Sequence, residues 1–146
     1  MTVSVKQVVA SAATAILLLT AGASFAQETP SAPDAKVYFI NVKDGDLVKG
    51  PVLVQFGLSG MGIAPAGTEA ENTGHHHLLV DIAMSDAELL EPIPMDDNHR
   101  HFGKGQTEVS LDLAPGKHTL QMLLGDWTHV AHMRPVMSDA ITIMVE

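Results

Sequence analysis

Short runs of β-type residues dominate the chain from residue 37 onward. Val52, Val54, Phe56 and Leu58 share one face of an extended segment, because successive side chains on a strand point to opposite sides. Comparable runs, each bounded by turn residues, predict strands at residues 37–42, 52–58, 76–82, 89–95, 107–113, 118–124 and 140–146. Two prolines restrict the run at 89–95 to a sheet edge. The preceding Ser85-Asp86-Ala87-Glu88 has the form of a capping box and predicts one helical turn.

The predicted fold class is all-β, because six to seven short strands occur with almost no helical periodicity. Strand number and spacing favour an antiparallel immunoglobulin-like sandwich. A small jelly roll or a cupin-like barrel is the alternative. The cupin alternative comes from His75-x-His77 followed by Asp81, which matches half of a cupin metal motif. The second half does not match, since Pro115-Gly116-Lys117-His118 has a different spacing.

The first 26 residues have the three parts of a secretory signal peptide. Lys6 supplies the positive charge, residues 8–21 form an uncharged apolar run, and Ser24-Phe25-Ala26 places small residues at a cleavage site. An uncleaved anchor would need about 20 mainly apolar residues. We therefore expect a signal peptide at 1–26, a flexible tether at 27–36 and one domain at 37–146. The expected location is periplasmic or secreted, with no transmembrane segment after cleavage.

Composition narrows the possible chemistry. The chain has no cysteine, which excludes thiol nucleophiles, zinc–thiolate sites, iron–sulfur clusters and blue copper. It carries 8 Lys+Arg against 17 Asp+Glu, a formal net charge of −9 at pH 7. An acidic surface repels phosphate backbones, so nucleic acid is not an expected partner, whereas cations are attracted.

Seven of the eight histidines occur in three groups: His75 to His77, His99 with His101, and His129 with His132. The predicted strand order places the three connections that hold these groups at one end of the sandwich. His118 falls beside a turn at the opposite end. His75 and His77 would share one face of their strand, whereas His76 would point with Leu78 towards the core.

Imidazole is the commonest metal ligand in proteins, so we predict a transition-metal site. The candidate ligands are His75, His77, His99, His101, His129 and His132. Asp126, Asp81 and Met133 are candidate outer-shell groups or alternative ligands. Copper is favoured, with zinc or nickel possible, because imidazole suits all three and a thioether suits Cu(I).

No nucleophile–base pattern, catalytic residue or organic-cofactor motif accompanies the histidines. This favours a binding protein for copper storage, delivery or buffering, with the metal ion and a periplasmic metal-handling protein as partners. Three alternatives stay open. One is a metal-dependent enzyme with an open coordination position, one is a metal-free adhesion or assembly module, and one is a pH-responsive histidine surface.

Several segments together resemble a bacterial exported family catalogued as domain of unknown function 4399. The similarity extends from about Val37 onward, and the chain departs from the family around its last histidine, where Ala131, Met133 and Arg134 replace expected prolines. The resemblance implies an exported domain with a histidine-rich site and supplies no activity. The matching segments are Gly74-His75-His76-His77-Leu78, residues 101–108, residues 113–121 and Leu124-Gly125-Asp126, with His129 and His132.

Overall fold

The computed structural model describes residues 29–146, so the predicted signal peptide lies outside the described residues. Within this range the chain forms nine strands and one 3₁₀ turn at Glu88–Leu90. The strands are β1 (Lys36–Phe39), β2 (Leu47–Val48), β3 (Val52–Ser59), β4 (Gly62–Ile63), β5 (Thr73–Val80), β6 (His99–His101), β7 (Glu108–Leu111), β8 (Gly116–Gly125) and β9 (Ile141–Val145). None of the helical structure in this range is long and apolar enough to cross a membrane.

The strands form two sheets. One has the order β1-β3-β7, and the other has the order β2-β9-β8-β5, with β4 and β6 both on the far edge of β5. The central pairs of the larger sheet, β5 with β8 and β8 with β9, are antiparallel. This is the A-B-E and G-F-C pairing of an immunoglobulin-like sandwich. The predicted all-β sandwich is therefore confirmed, and the sheets formed by residues 29–146 do not close into a barrel.

The core lies between the two sheets. Val54 and Phe56 of β3 belong to the same buried cluster as Leu78 of β5 and Met122 of β8. Alternation explains this packing, because every second side chain of each strand points inward. The odd-numbered residues at the start of β5 therefore point to the outer face of the larger sheet.

The expectation of an edge strand at residues 89–95 is wrong. Ser85 and Glu88 instead form the predicted capping box, in which Ser85 N donates to Glu88 Oε2 at 2.7 Å and a 3₁₀ turn follows. Pro92 makes only an isolated bridge to Val130. Proline has no N–H, so Pro92 and Pro94 prevent a continuous ladder over this stretch. The edge beside β5 is occupied by β6 at residues 99–101, together with the short β4.

Part of the predicted tether lies on the domain. The carbonyl of Thr29 accepts a hydrogen bond from Met133 N at 2.9 Å. The hydroxyl of Ser31 donates to the carbonyl of Arg134 at 2.8 Å. Residues 29–31 are thus hydrogen-bonded to the connection between β8 and β9.

Candidate metal centre

Strand β5 directs two histidines away from the core. His75 pairs with Gly125 and His77 with Leu123 across the β5–β8 ladder. The outer face at this point is covered by a second apolar cluster, in which Leu123 packs with Leu89, Ile93 and Ala131. His75 and His77 are consequently fully buried although they lie outside the main core.

The ring nitrogens of these two histidines approach closely. The Nε2 atoms of His75 and His77 are 2.9 Å apart, a distance at which one neutral ring can donate a hydrogen bond to the other. His101 joins them because β6 pairs with β5 in a register that places it opposite His77. One ligand nitrogen from each of His75, His77 and His101 lies within 4.8 Å of the other two.

A fourth imidazole comes from the loop after β8. The ring centroid of His129 lies 4.6 Å from that of His101, 5.0 Å from that of His75 and 6.3 Å from that of His77. We refer to His75, His77, His101 and His129 as the four-histidine cluster. His101 and His129 are half-buried, so the cluster has one side closer to solvent.

Two glycines make room for the rings. A Cβ atom at Gly125 would lie 2.8 Å from His77 Nε2, and a Cβ atom at Gly103 would overlap the His101 ring. Sequence reasoning did not identify either glycine as part of the site. The sequence feature that could have identified them is their position. Gly125 lies in one of the family-like segments, and Gly103 follows His101 by two residues.

Three histidines of the cluster, His75, His77 and His101, are neutral imidazoles at pH 7. Burial, followed by the charges of His101 and His129, lowers the pKa of His75 to about 4. Burial, followed by the charges of His75, His101 and His129, lowers the pKa of His77 to about 2. Burial and His129 also lower the pKa of His101. A neutral imidazole keeps a lone pair available for a metal ion, which is the protonation state that binding requires.

Several buried nitrogens of the cluster have no hydrogen-bond partner in the described part of the chain. They are Nδ1 of His75, Nδ1 of His77 and Nε2 of His101. Buried polar atoms are normally paired, so such orphans are typical of functional sites. The donor set consists entirely of imidazoles, and such a set fits a transition-metal ion.

Comparison with known sequences supports the relationship predicted from the motifs. A profile of the family described as Domain of unknown function (DUF4399) matches residues 54–146. The chain belongs to this family. No curated protein and no solved structure matches it. In this DUF4399 protein, the matched range contains all four histidines of the cluster.

His99 and His132 are not brought into the cluster. His99 lies two pairs further along β6, opposite Leu79, and its Nδ1 hydrogen-bonds to Asp96 Oδ1 at 2.9 Å. His132 is buried, and its ring nitrogens face the carbonyls of Leu124 at 3.4 Å and Thr73 at 3.2 Å. The structure thus gives each of these two histidines a backbone or carboxylate partner away from the four rings.

Asp126 lies under the loop that carries His129. Its Oδ1 accepts hydrogen bonds from Thr128 N, Thr128 Oγ1 and Val130 N, and its Oδ2 accepts one from Thr29 Oγ1. Burial alone would raise the pKa of Asp126, but these hydrogen bonds outweigh it and hold that pKa below its ordinary value. The resulting negative charge acts on His75 and partly offsets the lowering of the His75 pKa.

The other candidates lie elsewhere. Asp81 pairs with His118, with Oδ2 2.7 Å from Nδ1, and is therefore separate from the cluster. Met133 is 61% exposed. His76 points into the core as expected and packs against Phe56, with ring centroids 5.3 Å apart. Burial lowers the pKa of His76 to about 4.

Proposed function

We propose that this DUF4399 protein binds a transition-metal ion, with copper favoured, through the four-histidine cluster. The observation that carries the proposal is the convergence of three neutral imidazoles whose ligand nitrogens lie within 4.8 Å of one another. His129 is the proposed fourth ligand, because its ring lies closest to that of His101. His99 and His132 are not included in the proposed ligand set.

The chemistry of the donor set is the support for copper. All four proposed ligands are imidazoles, which suit Cu(II), with zinc and nickel as alternatives. Square-planar nitrogen ligation is characteristic of Cu(II) and Ni(II). Since the chain has no cysteine and Met133 is exposed, the support for a soft Cu(I) site is weaker.

The proposed role is copper storage, delivery or buffering in the periplasm or outside the cell. The support for this location is the secretory pattern of residues 1–26. A periplasmic metal-handling protein is the proposed partner. Cell fractionation of the full chain tests the location, and recovery of the protein only in the cytosol would contradict it.

Metal content tests the central proposal. The protein is produced without a histidine tag, and copper, zinc and nickel are measured by elemental analysis and titration near pH 7. We expect one copper per chain in the native protein and loss of binding in the double variant His75→Ala/His77→Ala. The matched control is His118→Ala, at the far end of β8, which should bind normally. A native protein that takes up no metal at micromolar concentration overturns the proposal.

A metal-dependent enzyme is the second candidate. It is favoured by the uneven burial of the cluster, because His75 and His77 are fully buried whereas His101 and His129 are only half-buried. An ion held there would have one side towards solvent, where a water or substrate can bind. X-ray absorption of the copper form distinguishes the two, since a water ligand that azide replaces favours the enzyme and a closed nitrogen shell favours the binding protein.

A further inference from the structure

The loop that presents His129 is held by a single buried carboxylate. Asp126 is fully buried, and its Oδ1 collects three hydrogen bonds, from Thr128 N at 2.8 Å, Thr128 Oγ1 at 2.7 Å and Val130 N at 3.1 Å. The backbone closes the same turn, because Asp126 N donates to the carbonyl of Val130 at 2.8 Å. Asp126 is therefore hydrogen-bonded to both chain neighbours of His129, Thr128 and Val130.

His129 adopts a backbone conformation that requires such support. Its φ is 69°, in the left-handed region, which costs a residue with a side chain roughly 1 kcal/mol or more. The conformation is fixed at both ends, since His129 N donates to the carbonyl of Asp126 and the carbonyl of His129 accepts from Ile93 N. Strain of this kind persists only where the surroundings determine it, and it is typical of functional sites.

The remaining oxygen of Asp126 connects this turn to the N-terminal segment. Thr29 Oγ1 donates to Asp126 Oδ2 at 2.6 Å. The carbonyl of Thr29 also accepts from Met133 N at 2.9 Å, so one threonine bridges the start and the middle of the β8–β9 connection. Thr29 is 97 residues away from Asp126 in the chain. It lies in the segment for which the sequence predicts a flexible tether.

We propose that Asp126 is the positioning residue for the fourth ligand and that Thr29 couples the N-terminal segment to metal binding. Docking of Thr29 orients the Asp126 carboxylate, which holds the turn and places His129 over His75, His77 and His101. By thermodynamic linkage, the free energy by which the docked segment favours metal binding equals the free energy by which a bound ion favours docking of the segment. The inference rests on the proposed metal site and names its regulation.

Three variants test this coupling in the full-length exported protein. Thr29→Val keeps the shape of the side chain and removes its hydroxyl. Asp126→Asn keeps the shape and the Oδ1 acceptor and removes the charge. Ser31→Ala is the matched control, because it removes another hydrogen bond from the same segment to the same loop, to Arg134, without affecting Asp126.

Copper affinity and the copper EPR spectrum are measured for all four proteins. We expect Thr29→Val and Asp126→Asn to weaken Cu(II) binding about 10-fold or more, as loss of outer-shell partners does, and to lower the number of coupled nitrogens. Ser31→Ala should leave both unchanged. Exchange of the Met133 amide, which donates to Thr29, should be slowed by copper in the native protein and not in Thr29→Val.

The two proposals fail in different ways. If the native protein binds no copper, the proposed metal site itself is overturned. If the native protein binds copper and Thr29→Val binds it with the same affinity and the same spectrum, only the coupling is overturned. If Ser31→Ala weakens binding as much as Thr29→Val does, the effect is general stabilisation of the loop and the specific route through Asp126 is also overturned.

Discussion

His75 and His77 lie two residues apart on β5, and their Nε2 atoms are separated by only 2.9 Å. Side chains at this spacing share a face of a strand, but they are normally about 7 Å apart at the backbone. The rings must therefore lean towards each other. Gly125 opposite His75 provides the space for this, because a Cβ atom there would lie 2.8 Å from His77 Nε2.

Substitution of Gly125 should therefore impair the site. We expect Gly125→Ala to displace the His77 ring and to weaken copper binding about 10-fold or more, comparable to the loss of a partner group. Isothermal titration with Cu(II) measures this effect. Gly62→Ala is the control, since a Cβ atom there would meet Thr73 Cγ2 at an ordinary 3.7 Å. Equal affinities for the two variants would contradict this account of the ring geometry.

Copper should stabilise the fold. An ion that binds only the native state at a free concentration 1,000 times its dissociation constant adds about 4 kcal/mol to the free energy of unfolding. We expect a higher Tm with copper by calorimetry and its reversal by a chelator. The double variant His75→Ala/His77→Ala should show no increase. An equal increase in that variant would place the copper elsewhere.

The His118–Asp81 pair should make stability depend on pH. The hydrogen bond to Asp81, supported by a second one to the carbonyl of Ala114, raises the pKa of His118 above its ordinary 6.5. The native state then binds the proton more tightly than the unfolded state does. This contribution is fully present below pH 6.5 and is lost as the pH rises through the raised pKa of His118.

Asp81→Asn tests that dependence. Asn tolerates the left-handed backbone of Asp81, whose φ is 57°. We expect the difference in Tm between the native protein and this variant to be larger at pH 6 than at pH 9. Copper affinity should be the same in both, because Asp81 and His118 lie away from the four-histidine cluster. A difference in Tm that does not change with pH would contradict the assignment.

His76 should destabilise the fold most at low pH. Both of its ring nitrogens are buried without a partner in the described residues, and burial lowers its pKa to about 4. Because its native pKa is depressed, the unfolded state binds the proton more tightly, and stability falls as the pH drops from 6.5 towards 4. His76→Leu should therefore increase the free energy of unfolding by about 1 kcal/mol at pH 8 and by more at pH 5.

Chemical denaturation at the two pH values measures that effect. Copper binding should be unchanged, since His76 points to the opposite face of β5. A variant that is stabilised equally at both pH values would show that protonation of His76 does not contribute. A variant that loses copper would show that His76 belongs to the site.

Local patterns were sufficient for six of the strands, β1, β3, β5, β7, β8 and β9, but not for the short β2, β4 and β6. They were also sufficient for the direction of single side chains. Alternation on β5 predicted that His76 faces the core and that His75 and His77 face outward, and the Ser85–Glu88 box predicted the turn that follows. The prediction of an edge strand at 89–95 is wrong. Pro92 and Pro94 have no N–H to donate to a ladder, and strand propensity does not account for this loss. The apolar residues of that stretch, such as Ile93, instead pack on the outer face of the larger sheet beside the four-histidine cluster.

The sequence by itself determined the fold class, the strands of the core and the set of histidines from which a site can be built, because these depend on neighbours within a few residues. Only the tertiary structure decided which histidines meet. His101 reaches the cluster and His99 does not, because the β5–β6 register places His101 opposite His77 and His99 two pairs away, opposite Leu79. His129 reaches it through a turn fixed by Asp126 and by Thr29 from the other end of the chain. Register and long-range hydrogen bonds depend on residues far apart in the chain, so no local pattern contains them.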